Sequence, residues 1–265
     1  MKQRIITGVI GAAIFLTMVF VGGLPFTLFI LALATVGLYE LLRMKNIPLF
    51  SFIGIVSLCL MWLLLLPRQT IQISFLFEWE KIDVFLFLLF LLLMFMVISK
   101  NKITFDEVGF VIVSSLYVGF GFHYLVETRN IPEIGLALVF FVIFLIWSTD
   151  SGAYFIGRKF GKRKLWPEIS PKKTVEGSVG GIATAFVIGS ILQFWLQLFS
   201  SVWTFIFVIL VVSVSGQIGD LIESAIKRHY GVKDSGNLLP GHGGVLDRFD
   251  SLIYVFPLLH LLHLI

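Results

Sequence analysis

Roughly nine stretches of this 265-residue chain are apolar over nearly the length that a bilayer demands, near residues 4–22, 25–42, 48–66, 83–99, 108–126, 134–150, 177–199, 202–222 and 248–265. A hydrocarbon core takes about 20 such residues per helix. The expected fold class is therefore all-α: a polytopic integral membrane protein of about nine transmembrane helices, with a polar cavity at its cytoplasmic face. Charged residues make up 14% of the chain, against roughly 25% in a soluble domain. Little is left for a separate soluble unit, so residues 1–265 are expected to form a single integral membrane domain.

Lys2 and Arg4 precede the first apolar run in the manner of a leader. No small-residue cleavage site follows, and Gly-Gly-Leu-Pro leads directly into another span, so the run reads as the first helix of a short hairpin. Cys59, the single cysteine, excludes an internal disulfide. With the N-terminus in the cytoplasm, seventeen of the 20 Lys and Arg residues fall on inner segments, leaving Arg68, Lys81 and Arg129 outside. This asymmetry is the usual determinant of orientation. The net charge of +4 is then mostly topology rather than a nucleic-acid signal.

Residues 1–149 carry little chemistry. Glu40, near the inner end of the second span, could face a polar site, but a pair with Arg43 one turn on is the expected arrangement. His123 and Glu127, four apart, read as an interfacial pair, and Phe75, Phe77 and Trp79 in the outer loop 67–82 suit the membrane surface. His260 and His263 read as packing or interfacial residues, and no transporter-type repeat is visible.

Two polar regions break the pattern. The first follows Trp147: Asp150 is expected to end a hydrophobic helix, and Arg158, Lys159, Lys162, Arg163, Lys164, Lys172 and Lys173 fall within sixteen residues. Ser170 and Pro171 before Lys172, Lys173 and Thr174 read as a turn into a helix start. Free N–H groups there, with the positive helix end and two lysines, would make a phosphate cradle. On the lysines alone, an ordinary capped cytoplasmic loop explains as much. Gly177 and Gly181 form a small-xxx-small contact surface.

The second region, Gly216 to Asp250, gathers five acids, four bases and seven glycines. Ionisable groups beside hydrocarbon cost about 2.5–3.5 kcal/mol each, so such a cluster must face a polar cavity or itself. Ser213, Gln217, Asp220, Ser224 and Lys227 recur every three or four residues, on one helical face that must look inward, and Gly216 and Gly219 permit a close neighbour. A glycine-rich turn then delivers Asp247 and Asp250 to the start of the last span. A helix dipole accounts for one Asp there, but not for Asp247, Arg248 and Asp250 beside Asp220. Carboxylates on two helices suit Mg²⁺, which completes its shell with water and substrate phosphates. For His242, a side chain aimed into the cavity and a structural hydrogen-bonding role are equally open.

The run Ser224, Lys227-Arg228, Lys233-Asp234, Gly236, Leu239-Pro240, His242-Gly243-Gly244, Asp247-Arg248 and Asp250 resembles the signature of the phosphatidate cytidylyltransferases, or CDP-diacylglycerol synthases. The segment Ser170 to Gly177 and the stretch from Asp150 to Gly161 are similar to that family too. The resemblance implies an all-helical, dimeric enzyme, with residues 150–265 supplying the catalytic helices and cytoplasmic loops. Its expected reaction joins CTP to phosphatidate, giving CDP-diacylglycerol and diphosphate, with Mg²⁺ and room for a second cation.

On this reading Asp220 and Asp247 hold metal and Asp250 is a ligand or its support. Lys172, Lys173, Lys227 and Arg228 hold the triphosphate or the lipid phosphate. Ser170, Thr174, Gly243 and Gly244 offer hydroxyl and backbone donors, and Asp150, Ser224, Lys233, Asp234 and Arg248 complete the substrate-binding set. His242 is counted with the catalytic residues, although a phosphate nucleophile is already ionised and needs no general base. The expected partners are CTP, phosphatidate, membrane lipid and a second copy of the chain, with no nucleic acid. The expected location is the bacterial cytoplasmic membrane. Two other readings stay open: a transporter or channel, against which stands the gathering of ionisable groups at one face, and a CTP-dependent kinase of a lipid alcohol.

Overall fold

The computed structural model describes residues 2–67, 80–238, 241 and 243–265, with side chains from Ile6 onward. Phe75, Phe77 and Trp79, and Leu239, Pro240 and His242 of the signature, lie outside the described residues. In order, the elements are α1 (Lys2–Val21), α2 (Gly23–Met44), α3 (Phe52–Leu65), α4 (Lys81–Ile98), α5 (Phe105–Arg129) and α6 (Gly135–Phe160), then β1 (Lys164–Trp166), β2 (Ser170–Thr174), α7 (Val175–Leu196), α8 (Val202–His229) and α9 (Leu246–Leu261). Among the described residues, α2, α4, α5, α6, α7 and α8 are long and apolar enough to cross a membrane, whereas α1 from Ile6 and α3 are apolar but shorter. The chain is a helical integral membrane protein.

Local chemistry sets the boundaries. Gly22 takes φ +66°, where an L side chain is strained, and so divides α1 from α2. The Arg129 side chain closes that corner by donating to the Phe20 carbonyl at 3.0 Å. Ser51, Thr104, Thr174 and Ser201 cap α3, α5, α7 and α8 by accepting from N–H groups three residues on.

Two expectations are corrected. Asp150 does not end its helix, because α6 continues to Phe160. No proline lies between them, Gly152 and Gly157 pack closely on Thr184 and Gly177 of α7, and Arg158 and Lys159 suit the negative end of its dipole. Ser170 to Thr174 is not a turn but strand β2, paired antiparallel with β1 through Lys164↔Thr174 and Trp166↔Ser170. Pro171 is tolerated because both strands of a two-stranded sheet are edges. The hairpin is tied to α7: Val175 donates to the Arg163 carbonyl at 3.0 Å, and Glu176 accepts from the Lys162 backbone at 3.0 Å.

Lipid is as apolar as the side chains, so helices meet where small residues let backbones approach. A Cβ on Gly177 would stand 2.7 Å from the Ala153 carbonyl, and one on Gly181 2.6 Å from that of Thr149, so α6 and α7 lie in close contact along these glycines. A Cβ on Gly219 would stand 2.8 Å from the Asp250 carbonyl, which fixes α8 against α9. Ser57 and Ser115, both buried, bond at 2.9 Å and join α3 to α5. One apolar core, including Phe26, Met61, Phe122, Phe141 and Phe256, runs from α1 to α9. Phe87, Phe90, Phe194 and Trp195 are exposed, as lipid-facing side chains would be.

Candidate active site

The close approach at Gly219 governs the site. It brings the C-terminal half of α8 beside the first turns of α9, so Asp220 and Glu223 meet Asp250. One oxygen from each of these three carboxylates lies within 4.8 Å of the others. Like charges so close repel strongly unless a cation intervenes. Two lysines supply part of the balance. Lys173, at the end of β2, forms an ion pair with Asp220. Lys227, one turn beyond Glu223, donates to Glu223 Oε2 and to Asp247 Oδ1, each at 2.6 Å.

Asp150 adds a fifth carboxylate within electrostatic reach of Asp220 and Asp250. Asp150, Asp250, Asp247 and Arg248, with Trp147 and Ser251, line a cavity of about 230 Å³ between α6 and α9. Even with Arg248, five acids outnumber the cations. Glu223 is 1% exposed, and its Oε1 has no hydrogen-bond partner among the described residues. An orphaned buried carboxylate oxygen costs about 1–3 kcal/mol or more, which a cation held with Asp220 and Asp250 would relieve.

Asp247 is engaged differently. Its Oδ2 accepts from the backbone N–H groups of Gly244 (2.7 Å) and Ser235 (2.9 Å) and from the Ser235 hydroxyl (2.9 Å), while Oδ1 takes Lys227. Among the described residues, the group of three acids with clustered ligand atoms is Asp220, Glu223 and Asp250. The sequence alone does not single out Glu223, although it stands three residues from Asp220 and four from Lys227.

Glu40 does not pair with Arg43. At 2% exposure it needs strong partners, and it accepts from the backbone N–H groups of Val245 (2.8 Å) and Leu246 (3.0 Å); its Oε2 also lies 2.9 Å from the Ser235 hydroxyl, whose single proton serves either Glu40 or Asp247. His123 and Glu127 do pair, at 2.9 Å, at the other end of the bundle.

The remaining expected residues divide by position. Of the inward stripe on α8, Ser213, Gln217 and Lys227 are buried and Ser224 is half-buried, 3.4 Å from Asp220 Oδ1. Lys172, Lys233, Asp234 and Arg248 are exposed. Arg228 donates to the Val232 carbonyl at 3.1 Å. Ser170 lies on the hairpin, and Thr174 spends its hydroxyl on the Gly177 N–H at 3.1 Å. With Val175 also bonded, two first-turn donors of α7 are already occupied, which leaves the lysines as the stronger attraction for an anion here. Gly243 and Gly244 form the turn against Asp247, Gly243 with φ +83°.

A family model described as the cytidylyltransferase family matches residues 2–265. Curated relatives extend over the same length. The phosphatidate cytidylyltransferase of Bacillus subtilis (strain 168) is 54% identical over 265 residues, covering 99% of this chain and 97% of the relative. Proteins of the same name from Staphylococcus epidermidis and Staphylococcus aureus are 43% and 40% identical over 268 residues, each covering 99% of this chain and 98% of the relative.

Proposed function

Since this chain belongs to the cytidylyltransferase family, we propose that it joins CTP to phosphatidate, releasing diphosphate and forming CDP-diacylglycerol at the inner face of a bacterial cytoplasmic membrane. The phosphate oxygen of phosphatidate attacks the α-phosphorus of CTP, the bond from that phosphorus to the bridging oxygen breaks, and diphosphate leaves with the electron pair. The nucleophile is already ionised, so the site requires charge neutralisation and in-line positioning rather than a base.

The observation that carries the reading is the triad Asp220, Glu223 and Asp250, with its unpartnered buried oxygen. These residues would hold Mg²⁺, and a second cation has room among the five acids. Bound there, a divalent ion supplies Lewis-acid stabilisation of charge on the transferring phosphate. Asp247 acts through Lys227, which it keeps from collapsing wholly onto Glu223. Lys172, Lys173, Arg228 and Arg248 attract the triphosphate and the lipid phosphate. Ser224 steadies Asp220, while Lys233, Asp234 and the turn at Gly243 and Gly244 border the nucleotide's approach from the cytoplasm.

We assign all nine helices as spans of a single domain, the N-terminus inside, with α1, α3 and α9 completing the set and a homodimer as the assembled form. Lipid then reaches the cavity between α6 and α9 from the inner leaflet. The test is to incubate purified protein with CTP labelled in the cytidine, phosphatidate and Mg²⁺. Label in a CDP-lipid, with diphosphate released, supports the proposal. With diacylglycerol in place of phosphatidate, a new phospholipid with free CDP identifies a lipid kinase instead, and ion flux without nucleotide identifies a transporter.

A further inference from the structure

Helix α9 begins without a cap of its own: its N-cap residue is Val245, which has no side-chain acceptor to offer. The missing acceptor comes from 205 residues away, where Glu40 takes the Val245 N–H with one oxygen and the Leu246 N–H with the other. A carboxylate at a helix N-terminus is favoured by the dipole as well as by these bonds. The fit leaves no room for side chains around it, since a Cβ on Gly236 would stand 2.8 Å from Glu40 Cδ.

The Ser235 hydroxyl lies 2.9 Å from Glu40 Oε2 and 2.9 Å from Asp247 Oδ2. It has one proton to donate, so it ties the two carboxylates together rather than satisfying either alone. Continuous contacts then run from Glu40 through Ser235, Asp247 and Lys227 to Glu223, the acid whose other oxygen has no partner among the described residues.

We propose that Glu40 is a positioning residue for the cation site: by fixing Ser235 and the Val245 and Leu246 N–H groups it holds Asp247 on Lys227, and so keeps Lys227 shared between Asp247 and Glu223. Without that hold, Lys227 pairs with Glu223 alone and neutralises the carboxylate that faces Asp220 and Asp250. The inference rests on the proposed use of those three acids.

The test is Mn²⁺ binding to substrate-free protein in detergent, followed by electron paramagnetic resonance for wild type, Glu40→Gln and Ser235→Ala. Glutamine keeps the size of Glu40 but sets an amide N–H against one of the two backbone N–H groups. Glu40→Gln is expected to bind the same number of ions at least tenfold more weakly, and Ser235→Ala at least threefold more weakly. A residue that merely stabilises the fold would reduce the number of sites and leave the affinity of the remaining sites intact. That result, or an unchanged affinity, overturns the proposal; if Glu40→Gln does not fold, Ser235→Ala decides by the same criterion. Wild type that binds Mn²⁺ but forms no CDP-lipid would contradict the proposed function and leave this inference standing. Wild type that forms CDP-lipid, with Glu40→Gln retaining full affinity, would sink this inference alone, and wild type that binds no Mn²⁺ would sink it together with the cation site.

Discussion

Lys227 Nζ lies 2.6 Å from Asp247 Oδ1 and the same distance from Glu223 Oε2, so one buried ammonium bridges the first turn of α9 to the last turns of α8. The pairing determines which acids are left for other work. Asp247 is held by the ammonium at Oδ1 and by two backbone N–H groups at Oδ2, whereas Glu223 has Oε2 engaged, Oε1 without a partner among the described residues, and a carboxylate oxygen within 4.8 Å of those of Asp220 and Asp250.

Removing that ammonium should be costly. Breaking a buried ion pair from one side leaves uncompensated charge, typically at about 3–5 kcal/mol. Lys227→Met is expected to lower thermal stability in detergent by that order, and the double variant Lys227→Met with Glu223→Gln should recover part of the loss. A Lys227→Met protein as stable as wild type would contradict the account of this bridge.

The three clustered acids should matter more than residues that only orient them, whose loss commonly costs about 10–100-fold. Asp220→Asn, Asp250→Asn and Glu223→Gln, each still monodisperse, are expected to lose Mg²⁺-dependent CDP-diacylglycerol formation by about 100-fold or more. Near-normal turnover in any one removes that residue from the proposed set.

Two glycines one turn apart on α8 make a controlled comparison. A Cβ at Gly219 would stand 2.8 Å from the Asp250 carbonyl and 3.0 Å from Ser251 Cα, whereas at Gly216 nothing lies nearer than 3.6 Å. Gly219→Ala must therefore push α9 away, at about 1–3 kcal/mol for such overpacking, and separate Asp250 from Asp220. Turnover should fall about tenfold or more. Gly216→Ala, free of such contacts and gaining helix propensity, should keep its activity, and equal activity of the two variants would refute this geometry.

Lys172 and Lys173 differ in surroundings, the first exposed and the second paired with Asp220. Replacing both by Ala is expected to raise the KM for CTP or phosphatidate about tenfold, with weaker dependence on salt because screened attraction is lost. Unchanged kinetics would leave this hairpin with a role in topology only.

Much of this was legible in the chain because it is periodic. Apolar runs marked the helices, and the three- and four-residue recurrence from Ser213 to Lys227 put Asp220 on an inward face. The small residues Gly177, Gly181 and Gly219 marked close contacts, whereas Gly216, expected to do the same, has none nearer than 3.6 Å. What escaped is not periodic. Glu40 has Arg43 one turn away as an obvious local partner, and nothing in its neighbourhood encodes two N–H groups 205 and 206 residues further on. The extension of α6 past Asp150 was hidden because polar residues and two glycines, Gly152 and Gly157, interrupt the apolar run there. The β1–β2 hairpin is too short and too charged to alternate visibly. Glu223 was in view but not singled out, and the place of Asp247 at a helix start gave no sign of the bonds it makes with Ser235, Gly244 and Lys227.

The central claim is that Asp220, Glu223 and Asp250 together hold the divalent ion on which transfer of the cytidylyl group depends. Its most direct test is a crystal structure of the protein grown with Mn²⁺ and CTP, with the ion located by anomalous scattering. The account predicts a peak among these three carboxylates, about 2.0–2.2 Å from oxygens of at least two of them, as a small divalent ion requires. A peak held by Asp247 with Lys227 displaced, or none near α8 and α9, would contradict it.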